Sequence, residues 1–372
     1  MARTVLFGAT GYTGRLTAEA MVERGLRPVL AARGREALEE LAASLGGLET
    51  AVADVSQPAS VRALVERGDV LVTTVGPFAR WGEPAADAAS AVGAHYVDST
   101  GEPAVIPAVF ERFGPAAARS GSAMLTALGY DWVPGNLAGG LALERAGEAA
   151  VRVDVGYFIT GKSAMSGGTM ASTAGALASK SFSFRDGRVK TERGAARVRG
   201  FEVDGKRRDG VSAGSSEHFG LPPLAPRLRE VNVYLGWFGS LARAVQVMSI
   251  GLSAPGAGWA VENVARRFVK GSTGGPDAQE RAGSGSHVVA IAYDAGGAEL
   301  AEVHLTGVNG YTFTGRMLAW AAHRAAEGGL RGTGALGPVE AFGLQELTEG
   351  CRWAGIEETG ATPQAAQRAS LA

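Results

Sequence analysis

The chain begins with MARTVLFGATGYTGRL (residues 1–16), in which an apolar run, Val5–Phe7, leads into three glycines, Gly8, Gly11 and Gly14. The apolar run is typical of a buried strand, and the residues after Gly11 fit the start of a helix. In a dinucleotide site the first glycine permits a tight turn, the second admits a diphosphate, and the third lets helix and strand pack closely. N–H groups at the helix N-terminus then bind the phosphates. The stretch therefore predicts such a site or a plain strand–turn–helix connection, which also favours glycine.

Alternating strand and helix patterns continue from this stretch to about Ala150. Short apolar runs at Pro28–Ala32 and Val70–Val75 fit buried strands, and the 3-4 spacing of apolar residues in Arg35–Leu45 fits a helix between them. Repeated alternation of this kind is typical of a doubly wound parallel sheet covered by helices on both faces. We therefore expect an α/β fold that begins with a dinucleotide-binding domain over residues 1–148.

The alternation is lost after this point. Val151–Thr160 reads VRVDVGYFIT, the pattern of a half-exposed strand, and Asp186-Gly187 and Asp204-Gly205 are typical hairpin turns. We expect a second, α+β domain over residues 149–310 and helical segments over residues 311–358. Residues 359–372 have low hydrophobicity, which favours a disordered tail.

Composition excludes several classes of function. Lys and Arg total 36 and Asp and Glu total 37, so no basic excess exists to bind nucleic acid by charge alone. The single cysteine, Cys351, excludes an internal disulfide and a cysteine-cluster metal site. The apolar stretch Val233–Trp259 contains Arg243 and Pro255, which favours a buried or groove-lining segment over a membrane span. With no secretion signal at the N-terminus, we expect a cytoplasmic protein without a metal.

The end of the second predicted strand suggests which dinucleotide binds. Enzymes that use NAD usually carry an acid there for the ribose hydroxyls, whereas this chain has Arg33 and Arg35, which suit a 2′-phosphate. Asp54 and Val55 close the third strand, where an adenine would lie. A P-loop is excluded because Gly14 is not followed by Lys and Ser or Thr. The pattern favours NADP(H) over NAD, and the predicted contacts in the glycine stretch are Gly8, Thr10, Gly11, Tyr12, Thr13 and Gly14.

Further candidates follow the later strands. Val75, Gly76 and Pro77 come after the fourth strand and are predicted to wall the nicotinamide ribose, although an ordinary Gly-Pro turn would look the same. Ser99 and Thr100 end the fifth strand at the same edge and are predicted to hydrogen-bond the nicotinamide end or to cap the next segment.

Two residues after the sixth strand are the candidates for catalysis. Tyr130 is predicted to donate a proton or hydrogen bond and Asp131 to orient it or the substrate, while a structural alternative makes Asp131 the cap of a helix beginning near Pro134. In the second domain, Ser166, Gly167, Gly168 and Thr169 open a predicted helix whose N-terminus would bind a substrate anion or be a simple helix cap.

Five motifs in order carry a resemblance to a known family: GATGYTGR (8–15), VGPFARWGEP (75–84), HYVDSTGEP (95–103), GYDWVPGNLA (129–138) and SGGTMAS (166–172). The series resembles the saccharopine dehydrogenase-like oxidoreductases, and within them the bacterial trans-acting enoyl reductases, whose closing helix resembles residues 334–356. The resemblance implies an NADP-binding Rossmann domain, a substrate domain, and C-terminal helices that return to the first domain. It also implies hydride transfer to a C=C (enoyl) or C=N (imine) bond of a small or acyl-carrier-bound metabolite, and it is compatible with a homodimer.

Alternative functions are weighed on the same residues. N-acetyl-glutamyl-phosphate reductases begin similarly but need a cysteine nucleophile near the domain junction, whereas Cys351 lies in the closing helix. Short-chain dehydrogenases need a Tyr-x-x-x-Lys acid that this chain lacks at the expected place. A non-catalytic NADP(H) sensor remains the alternative to a reductase, and the length of the second domain favours the reductase.

Overall fold

The computed structural model describes residues 1–161, 180–252 and 274–359, and its first sheet is built largely from the N-terminal third of the chain. The seven strands are all parallel and lie in the order β3-β2-β1-β4-β5-β6-β15. Their bounds are β1 Thr4–Phe7, β2 Val29–Ala32, β3 Thr50–Val52, β4 Val70–Thr73, β5 His95–Asp98, β6 Ala123–Leu125 and β15 Gly334–Ala335. This order places the carboxyl ends of β1 and β4 side by side, which is where a doubly wound sheet binds its ligand.

Helices cover both faces of this sheet. They include Tyr12–Glu23, Arg35–Ser44, Pro58–Arg62, Phe78–Trp81, Glu83–Val92, Ile106–Ala108 and Gly114–Ser120, whereas the next helix, Val133–Ala146, packs on the second sheet. Successive residues of β1 point to opposite faces, so Leu6 joins the larger hydrophobic core while Val5 and Phe7 join the other. Burial on both faces explains why the central strands read as continuous apolar runs.

Among the described residues, the second sheet is mixed and has nine strands. Seven lie in the order β10-β11-β12-β7-β13-β14-β16, β8 pairs with β12 and β9, and only the β12–β7 pair is parallel. The bounds are β7 Arg152–Gly161, β8 Lys180–Arg185, β9 Arg188–Arg193, β10 Val198–Val203, β11 Lys206–Ser212, β12 Glu230–Leu235, β13 Ser284–Tyr293, β14 Glu299–Val308 and β16 Ile356–Glu358. One face packs on the Val133–Ala146 helix, and the other carries a smaller apolar cluster around Phe158 and Phe201.

The C-terminal part connects the two sheets. The helix Gly310–Ala326, capped by the Asn309 side chain, packs against the Tyr12–Glu23 helix of the first domain. It is followed by the helices Pro338–Phe342 and Leu344–Ala354. The sequence predicts helices alone here, yet β15 extends the first sheet and β16 extends the second.

The predicted α/β fold class is confirmed: a parallel Rossmann sheet, a second mixed domain, and C-terminal helices that pack on the first domain. The boundaries near residues 148, 310 and 358 stay predictions. Ser166, Gly167, Gly168 and Thr169 lie outside the described residues, as do positions 360–372. Of the stretch 233–259, the described part forms the end of β12 and the helix Ala242–Leu252. Within the described ranges, no helix is both long and apolar enough to cross a membrane.

Candidate active site

The glycine turn is built by close backbone contact. Gly8 has a φ of +91°, and a Cβ there would lie 2.8 Å from Thr74 Oγ1. The N–H of Gly11 donates to the Gly8 carbonyl at 3.0 Å, and a Cβ on Gly14 would lie only 2.1 Å from that same oxygen. Gly8 and Gly14 therefore each have a steric reason that alanine could not satisfy, whereas a Cβ on Gly11 would make only a tight contact, 3.3 Å from the Gly8 carbonyl oxygen.

The helix that follows leaves its N-terminus available for an anion. Gly11 is the N-cap, and no side chain caps the helix at this end, so the first N–H groups lack intrahelical or side-chain acceptors. No acidic residue lies in the first turn. A turn in which Gly8 and Gly14 have no room for a Cβ, followed by uncapped N–H groups, fits the diphosphate of a dinucleotide.

The other residues of the turn divide between backbone and side-chain roles. The carbonyls of Thr10 and Thr13 accept hydrogen bonds from Arg15 and Thr17, which holds the first helical turn in place. The Tyr12 hydroxyl donates to the Pro276 carbonyl at 2.5 Å, so its side chain links the turn to the second domain.

The charged residues predicted to bind the adenosine end of the cofactor follow the neighbouring strands β2 and β3. Arg33 and Arg35 follow β2 and are both exposed, with Arg35 3.9 Å from the Glu39 carboxylate. Asp54 follows β3, and hydrogen bonds from the Ser56 backbone and hydroxyl lower its pKa, with a smaller contribution from the Arg33 charge. Val55, next to Asp54, is half-buried against the core. The two arginines thus present cationic groups to solvent at the end of β2.

The segment after β4 is held by a carboxylate from the next strand's loop. Val75, Gly76 and Pro77 lead into the Phe78–Trp81 helix. The buried Glu102 carboxylate accepts the N–H groups of Phe78 and Ala79 at 2.8 and 2.9 Å. Glu102 therefore fixes the backbone that the sequence places beside the cofactor, a role not predicted for it.

The end of β5 is joined to the loop after β6 by the fully buried Asp98. Its carboxylate accepts the N–H of Thr100 at 2.9 Å, the N–H of Ala127 at 2.8 Å and the Thr126 hydroxyl at 2.8 Å. Burial raises the pKa of Asp98, while these hydrogen bonds oppose the shift. Ser99 is half-buried and Thr100 fully buried, and the Thr100 hydroxyl accepts the Glu102 N–H. Asp98 thus positions the loop that carries Tyr130 and Asp131.

Tyr130 is buried between the domains. Its N–H donates to Thr314, and its hydroxyl faces the Phe158 carbonyl of β7 at 3.4 Å. Its ring packs edge-on against Tyr157 and Phe313. Burial strongly raises its pKa, and the Asp131 charge adds to the shift. The hydroxyl is therefore neutral and directed toward the second sheet.

Asp131 is half-buried at the carboxyl edge of the first sheet. Its Oδ2 lies 2.8 Å from the position that a Cβ on Gly101 would occupy, so it lies against the loop after β5. Its Oδ1 is buried and has no hydrogen-bond partner among the described residues. Burial raises its pKa to about 7. The capping alternative is wrong, because Trp132 is the N-cap of the Val133–Ala146 helix and no side chain caps it.

Two further groups, Glu217 and Tyr157, lie at the junction of the two domains, and no motif in the sequence marks them. Glu217 is fully buried, and its Oε1 accepts the Tyr157 hydroxyl at 2.7 Å. A Cβ on Gly135 would lie 2.1 Å from that Oε1, so a glycine on the helix makes room for the carboxyl. Burial raises the pKa of Glu217 to about 8. The local sequence, Ser215-Ser216-Glu217-His218, reads as a polar loop and gives no sign that this acid enters the core.

The geometry brings most predicted residues to one sheet edge. The tips of β1, β4, β5 and β6 place the glycine turn, the Val75–Pro77 segment, Thr100 and Asp131 along the same side, with Arg33 beyond them at β2. The described residues include no group of three or more His, Cys, Asp or Glu side chains that could hold a metal ion. The arrangement suits a dinucleotide laid across the edge, with a protonatable carboxyl at its far end.

Known proteins similar to the chain are consistent with this geometry. The saccharopine dehydrogenase NADP-binding domain family matches residues 4–126. A Mycobacterium tuberculosis protein described as a trans-acting enoyl reductase is 32% identical over 300 residues, covering 72% of this chain and 71% of that protein. The trans-acting enoyl reductase of Mycobacterium leprae is 40% identical over 139 residues, covering 36% of this chain and 33% of that one.

Solved structures show the same fold at low identity. Saccharopine dehydrogenase (L-Glu forming) from Saccharomyces cerevisiae has a TM-score of 0.61 and 12% identity, with 97% of this chain and 100% of that chain covered. Homospermidine synthase from Legionella pneumophila, solved with NAD, has a TM-score of 0.63 and 10% identity, with 98% and 92% covered. At such identities the likeness concerns the fold alone.

Proposed function

Since the chain belongs to the saccharopine dehydrogenase-like oxidoreductases, in the branch of the trans-acting enoyl reductases, we propose that it is an NADPH-dependent reductase of C=C bonds conjugated to a thioester. The relative from M. tuberculosis aligns with nearly three quarters of the chain and is described as an enoyl reductase. This favours an enoyl substrate over an imine. The acyl group is carried by a small thiol or by a carrier protein.

The chain's own residues would hold the cofactor along the sheet edge. Backbone N–H groups after Gly11 receive the diphosphate, and Arg33 and Arg35 bind the 2′-phosphate through charge-assisted hydrogen bonds. Val75–Pro77, which lead into the Phe78 N–H held by Glu102, and the half-buried Ser99 line the nicotinamide end. The fully buried Thr100 supports this side by accepting the Glu102 N–H. When bound, the reduced nicotinamide supplies a hydride for the β-carbon of the enoyl group.

The second half of the reaction is protonation of the α-carbon, and we assign it to Asp131. A general acid works best when its pKa lies near the working pH, and burial brings the pKa of Asp131 to about 7. Its buried Oδ1 has no hydrogen-bond partner among the described residues. Tyr130, the acid expected from sequence, is a weaker candidate because its raised pKa makes proton release costly and its hydroxyl faces Phe158.

The observation that carries the proposal is the pairing of two features on one sheet edge: an uncapped glycine turn and an unpaired, protonatable carboxyl. A sensor needs the first feature but has no use for the second. A buried carboxyl oxygen with no partner, such as Asp131 Oδ1, costs folding free energy, and ionisable groups of this kind cluster at functional sites.

The test is turnover with a substrate panel. Purified protein is mixed with NADPH or NADH and with enoyl thioesters of increasing chain length, free and carrier-bound, and with cyclic imines, while absorbance of the reduced cofactor is followed. We expect NADPH oxidation with enoyl thioesters only. Oxidation with imines alone would show that the substrate is an imine and not an enoyl thioester. Binding of NADPH without oxidation across the panel would identify a sensor. Failure to bind NADPH would contradict both the reductase and the sensor.

A further inference from the structure

Two histidines of the second sheet contact each other and lie between two carboxylates. His287 of β13 has its Nε2 2.9 Å from Nδ1 of His304 on β14. Asp204 Oδ1 lies 3.2 Å from His287 Nδ1, and Glu302 Oε1 lies 3.1 Å from His304 Nε2. The four side chains therefore form a continuous row, Asp204–His287–His304–Glu302, with a carboxylate at each end.

The members of this row differ in how firmly the fold holds them. His287 is 5% exposed, and His304 and Glu302 lie two residues apart on the strand that pairs with β13. Asp204 instead belongs to the Asp204-Gly205 turn between β10 and β11, and its side chain is 55% exposed. His287 Nδ1 is buried and makes no hydrogen bond of regular geometry among the described residues. The contact between Asp204 and His287 therefore depends on charge.

The row is satisfied by one number of protons only. It contains three contacts, and each is favourable when one N–H lies between the two groups. Two neutral imidazoles carry two N–H groups, so one contact would bring two acceptors together. Two imidazolium rings carry four, so two N–H groups would face each other between the rings. One extra proton on the pair supplies three N–H groups, one for each contact.

We propose that His287 and His304 form a site that binds one proton from solvent, and that this proton fastens the β10–β11 turn to β13 through Asp204. When the proton leaves, one carboxylate of the row faces a ring lone pair. The Asp204 turn gives way, because the other three side chains are carried by the paired strands β13 and β14. The site is a property of the free protein and does not depend on the proposed reductase function.

The groups that face His287 agree with a single proton. Burial is the main cause that lowers the pKa of His287, and the His304 charge lowers it further, whereas Asp204 opposes the shift. Arg208 of β11, 4.0 Å from Asp204 Oδ2, adds a smaller lowering of this pKa. On the β7 side the residue paired with His287 is Phe158, which does not ionise. A second proton on the pair is therefore disfavoured.

The other end of the row is occupied by an ionised carboxylate. The hydrogen bond from His304 is the main cause that lowers the pKa of Glu302, and burial opposes the shift. The charge of Arg199 contributes to the lowering as well. Glu302 therefore accepts an N–H from His304, which leaves His304 Nδ1 to share the remaining proton with His287.

Nitrogen-15 NMR of the histidine rings tests the site on the full chain without cofactor, from about pH 4 to 9. We expect the His287 and His304 signals to change together at one shared midpoint, as the pair takes up one proton. A second proton should enter only at lower pH. Two unrelated midpoints, with one full proton on each ring, would overturn the proposal.

Asp204→Asn tests the contact between the row and the turn. Asp204 has a φ of +53°, which asparagine tolerates, so the variant removes the charge and keeps the turn. The shared midpoint should fall by about one pH unit. Asp186→Asn is the matched control, since Asp186 has a φ of +54° in the Asp-Gly turn between β8 and β9, and it should leave the midpoint unchanged. A wild-type midpoint in Asp204→Asn would contradict the contact.

Hydrogen exchange of the backbone amides of residues 203–206 tests the fastening itself. After correction for intrinsic exchange, protection of this turn should fall about tenfold above the shared midpoint, whereas the β8–β9 turn should not change. Glu302→Gln removes the other carboxylate, so the loss of protection should move to lower pH. Protection that stays constant across the midpoint would overturn the fastening.

Discussion

The glycine turn and the domain junction that contains Asp131 and Glu217 differ in the chemical groups that they offer to a ligand. At the turn, Gly8 and Gly14 bring backbone groups into close contact, and the uncapped helix N-terminus offers N–H groups rather than carboxyls. At the junction, the Glu217 carboxyl and Tyr157 fill the space beside Gly135, the Asp131 carboxyl lies against Gly101, and both acids have raised pKa values. The contrast separates affinity from chemistry: changes at the turn should weaken cofactor binding, and changes at the junction should slow turnover.

The largest expected effect is at the junction. Asp131→Asn removes the proton donor while keeping the side chain's shape, so kcat should fall by about 10²- to 10⁴-fold, the range typical of general acids. The dissociation constant of NADPH should change less than about twofold, as measured by fluorescence titration. Tyr130→Phe is the matched control, with a smaller loss. Equal losses in both variants would return the acid role to Tyr130.

Gly14→Ala affects the turn instead. Its Cβ would lie 2.1 Å from the Gly8 carbonyl oxygen, so the helix must move off the strand. We expect a loss of about 1–3 kcal/mol in the free energy of unfolding and roughly a 100-fold loss in NADPH affinity. Urea unfolding and calorimetry measure these two effects. The exposed Gly251→Ala has open space for its Cβ and serves as the control; if both variants bind NADPH like the wild type, the turn is not the phosphate site.

The double variant Arg33→Ala and Arg35→Ala tests cofactor choice. Two charge-assisted hydrogen bonds to a 2′-phosphate are lost, so NADPH affinity should fall about 10- to 100-fold while NADH affinity stays the same. Isothermal titration with both cofactors gives the ratio. Equal losses of affinity for NADPH and NADH would show that these arginines do not bind the 2′-phosphate.

The raised pKa of the buried Glu217 makes the free energy of unfolding depend on pH. The pKa of Glu217 is raised from 4.5 to about 8, so the unfolded chain binds fewer protons than the folded one between these values. The contribution of this group to stability is therefore full below about pH 4.5 and is lost as pH rises to about 8. Glu217→Gln should be more stable than the wild type at pH 9, by on the order of 2 kcal/mol, and should lose this advantage at pH 4. Urea unfolding checks this against the exposed Glu40→Gln, whose difference from the wild type should not depend on pH in this way.

The smallest effect concerns the contact between the domains. Tyr12→Phe removes the hydrogen bond to the Pro276 carbonyl and the one that Tyr12 accepts from Arg281, but keeps the ring against Tyr311. We expect a loss of about 1 kcal/mol in the free energy of unfolding and an unchanged NADPH affinity. Thermal unfolding measures the first. A large loss of affinity would mean that the Tyr12 hydroxyl contacts the cofactor.

The difference between the two regions also explains what could be predicted from sequence. The turn is largely local: the positive φ of Gly8 and the close approach of Gly14 to the Gly8 carbonyl arise within seven residues, although a Cβ on Gly8 would also meet Thr74. The parallel sheet follows from the alternation of strands and helices. The pairing of β15 with β6 could not be predicted from the sequence, because β15 consists of only two residues, Gly334 and Ala335, and two residues show no periodicity.

The junction depends on contacts between distant parts of the chain. Tyr157 and Glu217 are 60 residues apart, and neither has a neighbouring motif that marks it as buried. Asp131 was noticed because it follows a strand at the cofactor edge. Its unpaired Oδ1 and raised pKa depend on packing against Gly101 and the core, which only the folded structure reveals.

Isotope transfer tests the central claim most directly. The protein is incubated with an enoyl thioester and NADPH that carries deuterium on its transferable position, and the product is analysed by mass spectrometry and NMR. We expect one deuterium at the β-carbon, a solvent proton at the α-carbon, and loss of most product in Asp131→Asn. A saturated product with deuterium elsewhere, or full yield from Asp131→Asn, would contradict it.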